Sequence, residues 1–94
     1  MNTDAANVIE LWIPSEFGYE KLAMQLAGAV AEQMGFAADR IEDLKTAVSE
    51  ACLNAIEHGN RLDSATRVQL QLSFFADRLC IDVTDEGRGG PPPD

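Results

Sequence analysis

The sequence predicts an α+β domain of two layers: two helices on one face of a small sheet, water on the other. The expected order is strand, helix, helix, strand, strand. Three observations predict this. The run Thr66-Arg67-Val68-Gln69-Leu70-Gln71-Leu72-Ser73-Phe74 alternates polar and apolar residues, the period of a strand with one buried face. After a reversal at Ala76-Asp77, Leu79, Ile81 and Val83 repeat that alternation. Before them, from Glu16 to Gly59, apolar residues return at three- and four-residue steps, the period of helices.

The first strand is expected over 7–13, where Ile9, Leu11 and Ile13 share one parity. Val8 and Trp12 take the other, so one end of that face is expected to be covered as well. The first helix is expected over 16–34. Ser15 would be its N-cap, with Glu16 and Glu20 near the positive end of the helix dipole. Tyr19, Leu22, Ala23, Leu26, Ala29 and Val30 would form its apolar side, and Gly35 its stop. The second helix is expected over 39–59, with Asp39 as N-cap and Glu42 completing a variant capping box. Its core stripe would be Ile41, Leu44, Val48, Ala51 and Ala55, and Gly59 would end it in a left-handed cap. The remaining strands are expected over 66–75 and 78–85. The tail 86–94, rich in glycine and proline, fits neither strand nor helix.

Composition narrows the function. Ninety-four residues, 46% of them hydrophobic, suffice for one domain over 1–94. Sixteen acidic residues against seven basic ones give a net charge of −9, which repels a phosphate backbone and argues against direct nucleic-acid binding. The same charge suits a basic protein partner. Cys52 and Cys80 sit in apolar runs and are expected to be small buried hydrophobes rather than a disulfide pair. No apolar run approaches the roughly 18 residues of a membrane span. A cytoplasmic protein with no membrane partner is the expectation.

Two stretches carry candidate chemistry. Glu50 and Asn54 lie one turn apart on the shoulder of the second helix's core stripe. An Asn carbonyl suits a hard cation such as Mg²⁺, and a Glu can take a proton from a hydroxyl. Spacing alone fits a solvated helix surface too, which is the commoner use of such a pair. His58 falls one turn further on, either capping the helix or lining a pocket rim. Asp85 is in phase with Leu79, Ile81 and Val83, so its carboxylate should face the buried side. It needs a donor there: the amine of an adenine, a backbone N–H or a water. Gly87 and Gly89 would let backbone approach a flat ring or a phosphate.

Taken together, the opening strand into Ile13-Pro14-Ser15, the segment Ile41 to Asn60 with Glu50-Ala51-Cys52-Leu53-Asn54-Ala55-Ile56-Glu57-His58-Gly59-Asn60 at its end, and Val83-Thr84-Asp85-Glu86-Gly87-Arg88-Gly89 resemble the GHKL (Bergerat-fold) ATPase superfamily. Within it the chain is most similar to the bacterial anti-sigma-factor serine/threonine kinases. The resemblance implies that Glu50 is the base acting on a serine of an anti-anti-sigma factor. It implies that Asn54 binds the Mg²⁺ bridging the phosphates of ATP, and that Asp85 accepts a hydrogen bond from the adenine amine. Gly87 and Gly89 would shape that end of the pocket. His58, Gly59 and Asn60 match the motif without a derivable role. A sigma factor is the further implied partner, and a homodimer the implied assembly. The family continues into a lid, a second glycine-rich motif, a helix and a strand, and of these only the opening of the lid would precede Asp94. The chain is therefore expected to be the N-terminal portion of such a domain, with 86–94 opening the lid, and to be inactive by itself. The alternative is a non-catalytic module of the same fold that sequesters a sigma factor or another partner.

Overall fold

A computed structural model describes residues 7–87. Gly89 and the rest of the expected lid segment, beyond Gly87, lie outside the described residues. Strand β1 spans Asn7–Pro14, helix α1 Glu20–Gln33 and helix α2 Ala38–Asn54, which runs on into a π-helical turn, Ala55–Gly59. Strands β2, Arg67–Phe74, and β3, Leu79–Thr84, complete the domain. The sheet is antiparallel in the order β1-β2-β3. The α+β architecture and the element order are those the sequence predicts.

Register explains the two layers. Ile13 pairs with Val68, Leu11 with Leu70 and Ile9 with Leu72; across the next ladder Leu70 pairs with Val83 and Leu72 with Ile81. One parity of all three strands therefore faces the helices. Ile13, Val68, Leu70 and Leu72 pack there with Ala23, Ala27, Val30, Val48, Cys52, Ala55 and Ile56. Gly28 brings the helices close: a Cβ at that position would lie 2.9 Å from Cδ of Lys45. The small residues of α1 thus let the stem of a lysine on α2 nest against its backbone. No described helix is long and apolar enough to cross a membrane.

The local differences have physical reasons. Ser15 is not a helix cap. It is fully buried, and the chain turns at Gly18 (φ 109°) before α1 begins at Glu20, four residues later than expected. Oε1 of Glu20 accepts the Gly18 N–H at 2.6 Å instead. Helix α2 starts at Ala38 after an extended Ala37, with no side-chain cap; Asp39 lies in the first turn and accepts the N–H of Arg40. The buried stripe of α2 centres on Val48 and Cys52 and continues through Ala55 and Ile56, whereas Ile41, Leu44 and Ala51 are only half-buried. The face between α1 and the sheet, rather than the sheet alone, decides which residues are enclosed.

Gly35 does end α1 as expected, with φ 85° and paired bonds from Gly35 N–H to the Glu32 carbonyl and from Phe36 N–H to the Ala31 carbonyl. Gly59 does not end α2 that way. The left-handed residues are Arg61 and Leu62, with φ 54° and 58°. Cys80 is exposed, because it has the parity opposite to Ile81 and Val83. Val8 and Trp12 are also exposed; the cover over Trp12 is the guanidinium of Arg67, 4.6 Å from its ring centre.

Candidate functional site

Three neighbouring segments converge where α2 ends. Asn54 closes the α-helix, His58 and Gly59 lie in the π-helical turn, and Asp85 and Gly87 leave the end of β3. With Ala51, Ala55 and Val83 these residues line an open cleft of about 430 Å³. The π-helical turn adds one residue to the hydrogen-bonded ring, seen in the 2.8 Å bond from Asn60 N–H to the Ala55 carbonyl. It delivers Gly59 to the wall of the cleft, directly against Asp85.

Gly59 has a steric role. A Cβ there would overlap the Asp85 carboxylate and lie 2.9 Å from the Asp85 Cβ. Absence of a side chain at Gly59 is what lets Asp85 reach this depth. The half-buried Asp85 faces the helices, as its parity requires. Its Oδ1 accepts the N–H of Gly87 at 2.7 Å, and Gly87 takes φ 75° to make that turn. A backbone amide is thus the donor present on Oδ1.

The other expected site residues divide. Asn54 is exposed in the cleft, and its carboxamide makes no hydrogen bond among the described residues. His58 stands on the rim, with Nε2 3.8 Å from Oε1 of Glu57, and is also the basic residue in the last turn. Glu50 is exposed and does not line the cleft. An apolar groove of about 360 Å³ adjoins the cleft and shares Ala51 and Val83 with it. The lining of the cleft therefore combines apolar side chains, a carboxylate acceptor and an unengaged carboxamide. No cluster of three or more His, Cys, Asp or Glu side chains suited to a metal occurs among the described residues.

Behind the cleft lies a polar network that the periodicity of the sequence does not reveal. Asn60, Ser15 and Thr66 are all fully buried. Asn60 Nδ2 donates to Ser15 Oγ and to the Arg67 carbonyl, both at 2.9 Å, and Oδ1 accepts the Glu86 N–H at 2.7 Å. The Ser15 and Thr66 hydroxyls share a bond of 3.0 Å. Every buried side-chain polar atom among the described residues has a partner. The available signal was a polar residue, Ser15, just after a strand and only three residues before a glycine.

A family model described as the histidine kinase-like ATPase domain matches residues 13–94. The chain belongs to this family. Three relatives are each named serine-protein kinase RsbW. That of Bacillus subtilis (strain 168) is 42% identical over 82 residues, 87% of this chain and 51% of the relative. That of Bacillus licheniformis is 41% identical over 83 residues, covering 88% and 52%. That of Bacillus cereus (strain Q1) is 39% identical over 79 residues, covering 84% and 49%. The chain spans about half the length of these relatives.

Proposed function

We propose that the protein is an anti-sigma regulatory factor with ATP-dependent serine/threonine kinase activity toward an anti-anti-sigma factor. The observation that carries this reading is the cleft itself: Asn54 and Asp85, more than thirty residues apart in sequence, line one cavity together with apolar side chains. The relatives' name, serine-protein kinase, supports the reaction class. ATP would lie with its base over Ala51 and Val83 and its amine toward Asp85. Gly87, and Gly89 beyond it, would let the backbone follow the base closely. Asn54 would hold Mg²⁺, which neutralises phosphate charge when bound. Asn54 suits that role because its carboxamide is exposed and unengaged. Glu50, one turn earlier on α2, would accept the serine proton as the phosphoryl group leaves ATP. Its exposure suits a base that must meet a second protein. The acidic surface suits steering toward a basic partner, in a cytoplasmic setting with the sigma factor as the second partner and a homodimer as the assembly.

The test is transfer of label. The complete protein is incubated with γ-labelled ATP, Mg²⁺ and candidate anti-anti-sigma factors. Phosphoserine on the partner, lost with Glu50→Gln, is the expected result. Tight partner binding with no label would replace this reading with that of a non-catalytic module.

A further inference from the structure

Asn60 does not line the cleft, yet its side chain has 0% exposure. Its partners fix its orientation by their chemistry. The Arg67 carbonyl can only accept, and the Glu86 N–H can only donate, so the amide nitrogen must face the first and the oxygen the second. The three tied segments are the end of β1 at Ser15, the start of β2 at Arg67 and the exit of β3 at Glu86. Glu86 directly follows Asp85. It is held a second time, because its Oε2 accepts the Arg67 N–H at 2.6 Å. Gly59, the residue before Asn60, is the one against which the Asp85 carboxylate rests. Adjacent residues of the α2 exit therefore supply the space for Asp85 and the anchor for the peptide that follows it.

We propose that Asn60 is the positioning residue of base recognition. It holds the Asp85–Glu86 peptide through the Glu86 N–H and so fixes the direction of the Asp85 acceptor. This rests on the proposed contact of Asp85 with the adenine amine. A carboxylate held in one direction accepts from that amine and repels the carbonyl oxygen that guanine carries at the same ring position. A carboxylate on a loosened turn can move away, and discrimination falls. The substrate class is thus an adenine nucleotide, selected over guanine by a rigid acceptor rather than by pocket size.

The experiment uses the complete protein. ATP and GTP affinities are measured by calorimetry for the parent, Asn60→Ala, Asn60→Asp, Glu86→Ala and Ser15→Ala. Amide exchange at Glu86 is followed without nucleotide. Asn60→Ala should lower the ATP-to-GTP affinity ratio by about tenfold, the worth of one misaligned hydrogen bond, and speed exchange at Glu86. Asn60→Asp keeps the oxygen that faces the Glu86 N–H, so its ratio should stay near the parent's even though its stability drops. Ser15→Ala disturbs the same network away from Glu86, and should cost stability while sparing the ratio. Glu86→Ala alters an exposed side chain, which keeps the test open if Asn60→Ala does not fold; its ratio should fall several-fold. An Asn60→Ala or Glu86→Ala protein with an unchanged ratio overturns the proposal, as does unchanged exchange at Glu86 in Asn60→Ala. A parent that binds neither nucleotide overturns the ATP reading itself, and is told apart because faster exchange at Glu86 would still report the clamp.

Discussion

Replacing Gly59 by alanine sets local helix preference against tertiary contact. Gly59 does not have a left-handed φ, so its backbone would accept alanine, and in a helical segment the exchange ordinarily stabilises by about 0.5–1 kcal/mol. The structure predicts the opposite sign. The new Cβ would overlap the Asp85 carboxylate, which rotation about Cα–Cβ could move aside. It would also lie 2.9 Å from the Asp85 Cβ, which only a backbone shift can relieve. That shift loads the 2.7 Å bond from Glu86 N–H to Asn60. Overpacking of this kind costs about 1–3 kcal/mol, and loss of the bond about 1 kcal/mol more. Net destabilisation of about 1–3 kcal/mol is therefore expected in urea unfolding, with weakened ATP binding in the complete protein. In a double-mutant cycle Asp85→Gly, which removes the Cβ as well as the carboxylate, should recover part of the lost stability without recovering binding. A Gly59→Ala protein at least as stable as the parent, with unchanged ATP affinity, would refute the close approach.

Other expectations follow from single contacts. Gly87 has φ 75°, so Gly87→Ala should cost about 1–2 kcal/mol of turn energy and weaken nucleotide binding, measured by unfolding and calorimetry. Cys80 is exposed and Cys52 enclosed, so a thiol reagent should modify Cys80 in the native protein and Cys52 only on unfolding. Burial, with a smaller contribution from the Glu20 carboxylate, pushes the Cys52 thiol up to about 11 from its ordinary 9.0. Between those values the unfolded chain loses this proton and the folded chain keeps it. Stability should therefore fall as pH rises from 9 toward 11, and fall less in Cys52→Ala, as read by denaturation across that range.

Periodicity made the element types legible because each strand shows water one parity and each helix buries one stripe, although in α1 Tyr19, Leu22 and Ala29 of the expected stripe are exposed and Ala27, Gly28 and Ala31 are buried in their place. The inward direction of Asp85 was legible for the same reason: it is the next residue in phase after Val83. Spacing also put Asn54 and His58 on one shoulder, and both line the cleft. The start of α1 was not legible, since Pro14-Ser15-Glu16 satisfies the local rule for a cap and nothing local announces that Ser15 is needed by Asn60. Gly59 reads as a helix stop for similar reasons, whereas its use depends on a residue 26 positions away in sequence. Such contacts join distant segments through single atoms and leave no period behind. Glu50 shows the reverse: its spacing from Asn54 is plain in the sequence, yet its side chain stands outside the cleft wall.

The proposed function requires that the cleft lined by Asn54 and Asp85 hold an adenine nucleotide with its metal. Calorimetric titration of the complete protein with ATP, with and without Mg²⁺, is the decisive measurement. Saturable one-site binding is expected. Asn54→Ala should weaken it chiefly in the presence of Mg²⁺, and Asp85→Asn should weaken it with or without the metal. Absence of binding, or binding that both substitutions leave unchanged, would contradict it.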